Sequence, residues 1–145
     1  MTWRWDLAGA GSALLVIWLG ACGSAGAPVT PLPPLPPTVM SHTPVNGATN
    51  VTLDGSVSAT FSEAMDPATI DGISFTLTSG AAAVPVAGTV IYGNSKAVFW
   101  PATQLARNGT YSATITTRAR SASGDGLAAK RNWRFSTVKP GAACP

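Results

Sequence analysis

Between Ser56 and Ser136 the chain repeatedly alternates apolar with small polar residues. That two-residue period limits its fold more than any other feature. Val57, Ala59 and Phe61 alternate with Ser56, Ser58, Thr60 and Ser62. Ile73, Phe75 and Leu77 alternate with Ser74, Thr76 and Thr78. Val86, Gly88, Val90 and Tyr92 alternate with Ala87, Thr89 and Ile91. Tyr111, Ala113 and Ile115 alternate with Ser112, Thr114 and Thr116, and Trp133 and Phe135 with Asn132, Arg134 and Ser136. Successive side chains of a strand point to opposite faces, so each run reads as a half-buried antiparallel strand. A first strand near Val39 to His42 and another at Lys96 to Phe99 complete the set. Turn chemistry separates them at Asn46-Gly47, Asp54-Gly55, Asp71-Gly72, Gly93-Asn94, Asn108-Gly109 and Gly124-Asp125-Gly126. About seven strands over roughly 100 residues predict an all-β, two-sheet sandwich with a Greek-key path. Asp66-Pro67-Ala68-Thr69 predicts a single helical turn with Pro67 at its first position.

Composition narrows the partners. Charged residues make up 10% of the 145 and the net charge is +3. A nucleic-acid binder would carry a dense basic stripe interleaved with stacking aromatics, and this chain has none. Its length leaves room for one domain.

The N-terminus looks like an export signal. Arg4 and Asp6 precede the apolar run Ala13-Leu14-Leu15-Val16-Ile17-Trp18, which is too short for a spanning helix of about 20 apolar residues. Leu19-Gly20-Ala21-Cys22 follows and resembles a lipobox, where a signal peptide is removed and the new terminal cysteine is acylated. Residues 1–21 then form the leader, and Cys22 is the lipidation site. Six of the 12 prolines lie in the next stretch, residues 22–37. Polyproline II at about 3.1 Å per residue makes this a semi-rigid tether. The domain is expected over 38–138, with a flexible tail over 139–145. Acylation of Cys22 leaves Cys144 without an intramolecular partner; a Cys22–Cys144 disulfide is the alternative.

Thr43-Pro44-Val45-Asn46-Gly47-Ala48-Thr49-Asn50-Val51 is similar to the opening of the bacterial Ig-like domain found in S-layer proteins. Ala59 to Ile70, with Phe61-Ser62-Glu63-Ala64-Met65-Asp66-Pro67 at its centre, resembles the family's most specific block. Phe99-Trp100-Pro101-Ala102, Leu105, Gly109-Thr110-Tyr111, Gly124, Leu127 and Trp133-Arg134-Phe135-Ser136-Thr137 resemble its later blocks, in order. Trp100 departs from the small polar residue commoner at its position. The resemblance implies a seven-stranded Ig-like sandwich and little chemistry. Members serve as spacers and modules in surface layers, adhesins and secreted enzymes.

Few residues suggest catalysis or metal binding. His42 is the single histidine, so any Ser/His/Asp triad would have to be built on it. No catalytic residue, metal site or cofactor is expected. Glu63, Asp66 and Asp71 lie close together but lack the spacing of a calcium loop, and capping or turn roles explain them. Copper would need several converging His, Met or Cys ligands. Tyr111, just after the Asn108-Gly109 turn, is expected to fill the core and bond backbone across that turn. The loop joining the last two strands carries Arg118, Arg120, Lys130 and Arg131 against Asp125 alone. These four, expected at the end where the tether enters, are with Trp100 the candidate contacts to a membrane or partner.

These features predict a non-enzymatic lipoprotein that presents one Ig-like domain for structural or adhesive contact. Its expected partners are the membrane, through its lipid, and an envelope protein or glycan; no nucleic acid is expected. Export to the cell envelope follows, with outer-membrane sorting if the cell is Gram-negative. The alternatives are a metal-carrier sandwich and an accessory fragment of a longer surface protein.

Overall fold

A computed structural model describes Gly26 and residues 28–141. The leader, Cys22 and Cys144 lie outside the described residues. Among the described residues no helix is long and apolar enough to cross a membrane.

Nine strands follow one another: β1 (Val39–Thr43), β2 (Ala48–Val51), β3 (Val57–Phe61), β4 (Phe75–Ser79), β5 (Val84–Pro85), β6 (Gly88–Gly93), β7 (Lys96–Pro101), β8 (Thr110–Ile115) and β9 (Arg131–Thr137). They form two sheets, ordered β1-β3-β7-β6 and β2-β9-β8-β4-β5. Every pairing is antiparallel except β2 with β9, which is parallel. The all-β class and the Ig-like sandwich stand as the sequence predicts.

The expected count of seven strands becomes nine. All seven alternating segments form strands, and two short edge strands join them. After β1 the chain leaves the first sheet through Pro44 to Gly47 and adds β2 to the edge of the second, where the Gly47 N–H donates to the Arg134 carbonyl at 2.7 Å. Four residues with Asn50 at φ 58° offer no alternation to read. β5 has only two residues, and Pro85 suits an edge because it lacks an N–H.

Ile73 also departs from expectation. It is 61% exposed, whereas Ser74 beside it is buried. The Asp71 carboxylate accepts from the Ile73 and Ser74 N–H groups at 2.9 and 2.8 Å, folding a turn there instead of strand. β4 therefore starts at Phe75, and Ile73 falls outside the pleat.

The inward faces meet as one core. Val57, Ala59, Phe61, Phe75, Leu77, Ala97, Phe99, Tyr111, Ala113, Ile115, Trp133 and Phe135 are all buried. The Trp133 ring lies 6.0 Å from Phe75 and stacks on His42 at 4.4 Å. Leu105 and Leu127 close the core from the loops.

Candidate functional site

The β8–β9 loop folds back on itself. Ala119 and Ser121 are buried while Arg118 and Arg120 are exposed, an alternation that puts both guanidiniums on one side. The Leu127 N–H donates to the Ala119 carbonyl at 2.8 Å, and the Ala128 N–H to the Pro37 carbonyl at 2.9 Å. Pro37 is itself buried. The chain thus enters the sandwich beside this loop.

The other wall is the 3-10 turn Pro67–Thr69, with Pro at its start as the sequence predicts. Asp66 caps it, its carboxylate accepting from the Ala68 N–H at 3.0 Å. The Asp66 N–H donates to the Arg120 carbonyl at 2.8 Å, and the Arg120 N–H to Thr69 Oγ1 at 3.0 Å. Between the walls lies an open cleft of about 430 Å³, lined by Ala68, Thr69, Asp71, Ser74, Arg118 and Arg120. Arg120 Nη1 donates to the Gly124 carbonyl at 2.9 Å, which fixes the side chain's direction. Asp71 is held below the usual carboxylate range by the Ser74 and Ile73 N–H bonds, with a smaller contribution from Arg118.

Of the five candidate contact residues, the structure brings only Arg118 and Arg120 into this cleft. Lys130 and Arg131 are exposed but do not line it. Trp100, 49% exposed, lies toward the other end of the sandwich. The Phe61 N–H bonds the Ser95 carbonyl, so Lys96 is at the entry end, and Trp100 is four residues further along β7, about 13 Å away. Trp100 borders a separate depression of about 210 Å³ with Leu53, Asp54, Pro101 and Gln104.

The sequence suggests an entry end dominated by positive charge. Folding brings other groups there. Lys96 joins the arginines, but so do Glu63, Asp66 and Asp71, which flank the turn packed on the loop. The end is mixed in charge: Arg118 and Arg120 share the cleft with Asp71, and Lys96, Lys130 and Arg131 lie outside it.

His42 is half-buried, with Nδ1 3.0 Å from the Pro44 carbonyl and its ring on Trp133. Among the described residues no three His, Cys, Asp or Glu side chains converge as metal ligands do.

Two sheets with this strand order, and a buried tyrosine in β8, Tyr111, whose hydroxyl accepts from the Ala106 N–H of the preceding loop, define an Ig-like sandwich. Residues 34–137 match the family described as bacterial Ig-like domain, and the chain belongs to it. Among solved structures it is similar to the S-layer protein SbsC, at 22% identity and TM-score 0.53, covering 73% of this chain and 14% of that one. The N-terminal part of SbsC matches at 20% identity and TM-score 0.54, over 73% of this chain and 24% of that one. CopC from Methylosinus trichosporium OB3b matches at 11% identity and TM-score 0.60, over 74% of this chain and 99% of that one. These likenesses are of fold. No curated protein matches significantly.

Proposed function

We propose that the chain is a non-enzymatic, lipid-anchored protein of the bacterial cell envelope. It holds one Ig-like domain off a membrane and presents it to an envelope protein or glycan. The observation that carries this reading is Leu19-Gly20-Ala21-Cys22 after a short apolar run, with a proline-rich segment directly behind it. Residues 28–36 are exposed and without regular structure, and β1 starts at Val39, two residues after the buried Pro37. A spacer that ends where the sandwich begins suits an anchored module. The S-layer likeness agrees with a place at the cell surface.

One acyl chain binds a membrane only marginally, so stable anchoring takes more than one. Intact mass of the mature protein is expected to start at Cys22 and to exceed the peptide mass by at least a diacylglyceryl group. Cys22→Ser should abolish that added mass. A mature form that retains residues 1–21, or one that starts at Cys22 with no added mass, overturns the reading.

A further inference from the structure

We propose that the cleft between the 3-10 turn and the β8–β9 loop binds the phosphodiester headgroup of a membrane lipid, with Arg118 and Arg120 as the contacting groups. The inference rests on the membrane-anchored reading above and gives the domain a preferred face toward the bilayer.

The frame is built before any ligand arrives. Arg120 is fixed at its backbone from both sides, by the Asp66 N–H at its carbonyl and by Thr69 Oγ1 at its own N–H. Its guanidinium is steered by the Gly124 carbonyl through one nitrogen, and a guanidinium has five N–H donors in all. A planar fork held in this way suits bidentate contact with phosphate oxygens, and little ordering remains to be done on binding.

Charge selects the class of anion. The lining holds two guanidiniums and one carboxylate. The Asp71 carboxylate is turned to its own chain, accepting from the Ile73 and Ser74 N–H groups at 2.9 and 2.8 Å. The lining therefore carries a net single positive charge, which the single negative charge of a phosphodiester balances. The cleft volume of about 430 Å³ admits a headgroup larger than phosphate alone.

Position selects the source. Arg118 and Arg120 flank Ala119, which pairs with Leu127, and the next residue, Ala128, bonds the Pro37 carbonyl at 2.9 Å. The cleft thus opens beside the point where the chain enters from the tether. A tethered site meets its membrane at high effective concentration, so weak intrinsic affinity suffices.

The experiment uses the full chain carrying Cys22→Ser, so that no acyl group contributes. Flotation is measured with vesicles of phosphatidylcholine alone and with phosphatidylglycerol added; the neutral vesicles report any insertion of the leader. Binding should rise roughly tenfold or more with phosphatidylglycerol. It should return to the neutral level in the Arg118→Gln/Arg120→Gln variant and persist in Lys130→Gln/Arg131→Gln. Thermal melts of both variants check that each is folded. Soluble glycerophosphoglycerol should shift the Arg118 and Arg120 side-chain N–H resonances, weakly. Loss of binding in both variants alike would mean diffuse attraction and overturns the cleft. Binding to the soluble diester with no preference for anionic vesicles would mean a free metabolite and overturns the membrane source. The mass of the mature protein reads Cys22 acylation separately, so failure of either idea is recognisable on its own.

Discussion

At the scale of single residues, Tyr111 shows how far local chemistry can be followed. It is 4% exposed, its ring stacks on Phe135 at 5.6 Å, and its hydroxyl accepts from the Ala106 N–H at 2.7 Å. Gly109 makes room for it, since a Cβ there would come within 2.7 Å of the ring. The hydroxyl satisfies a backbone donor at a turn, and the ring fills core volume. Those two roles separate under mutation. Tyr111→Phe is expected to lose about 1 kcal/mol, the net worth of one hydrogen bond. Tyr111→Ala is expected to lose about 3 kcal/mol or more through the cavity. Denaturant melts measure both; equal, negligible losses would contradict this placement. The tyrosine was legible because a turn signal and a strand signal meet in six consecutive residues. Ile73 was not, because its exposure depends on a carboxylate hydrogen bond that leaves the apolar–polar pattern untouched.

At the scale of elements, Gly88 tests the packing of β6 on β7. Its place in the alternation puts it on the inner face, where it pairs with Pro101. A Cβ added at Gly88 would meet the Phe99 ring and the Trp100 carbonyl at 2.5 Å. Neither can withdraw, since Phe99 is buried in the core and the carbonyl is backbone. Gly88→Ala should therefore destabilise the domain by about 1–3 kcal/mol, as overpacking does. Gly72→Ala is the control, with nothing within 4 Å of the added carbon, and should change stability little. Thermal melts of the two variants decide the matter; equal stability would mean that β6 and β7 give way freely. The same pattern explains what was readable. Five or six residues of alternation identify a strand, so the seven longer segments were visible. β2 and β5 are pairings of four and two residues whose existence depends on the neighbouring edge. The cleft was half legible for a similar reason. Arg118 and Arg120 stand out in a loop, but Thr69, Asp71 and Ser74 reach them only across a long-range contact that no local pattern encodes.

At the scale of the whole molecule, the path of the chain sets how the domain would bear load. It enters beside Ala128, at Pro37, and β9 runs away from that end to Thr137. Beyond it the Val138 N–H donates to the Val51 carbonyl at 3.1 Å, at the opposite end. Pulling on the two ends therefore loads β1 on β3 and, once β1 gives way, drags β2 and β9 in opposite directions along their length. Because these strands are parallel, the bonds between them are sheared together instead of opening one after another. The Gly47 N–H to Arg134 carbonyl bond, at 2.7 Å, and the Arg134 N–H to Asn46 Oδ1 bond, at 3.0 Å, lie on that loaded seam. Forced unfolding follows the unfolding barrier and not equilibrium stability alone. Asn46→Ala should thus lower the rupture force in single-molecule pulling through the chain ends. Thr78→Ala removes a side-chain bond to the Ser112 carbonyl, at 3.3 Å, between β4 and β8, away from the seam, and should leave the rupture force near that of the unaltered protein. Chemical melts of the two variants put their equilibrium losses on a common scale. If Thr78→Ala weakens the pulled domain as much as Asn46→Ala for the same equilibrium loss, the β2–β9 seam is not what resists the load.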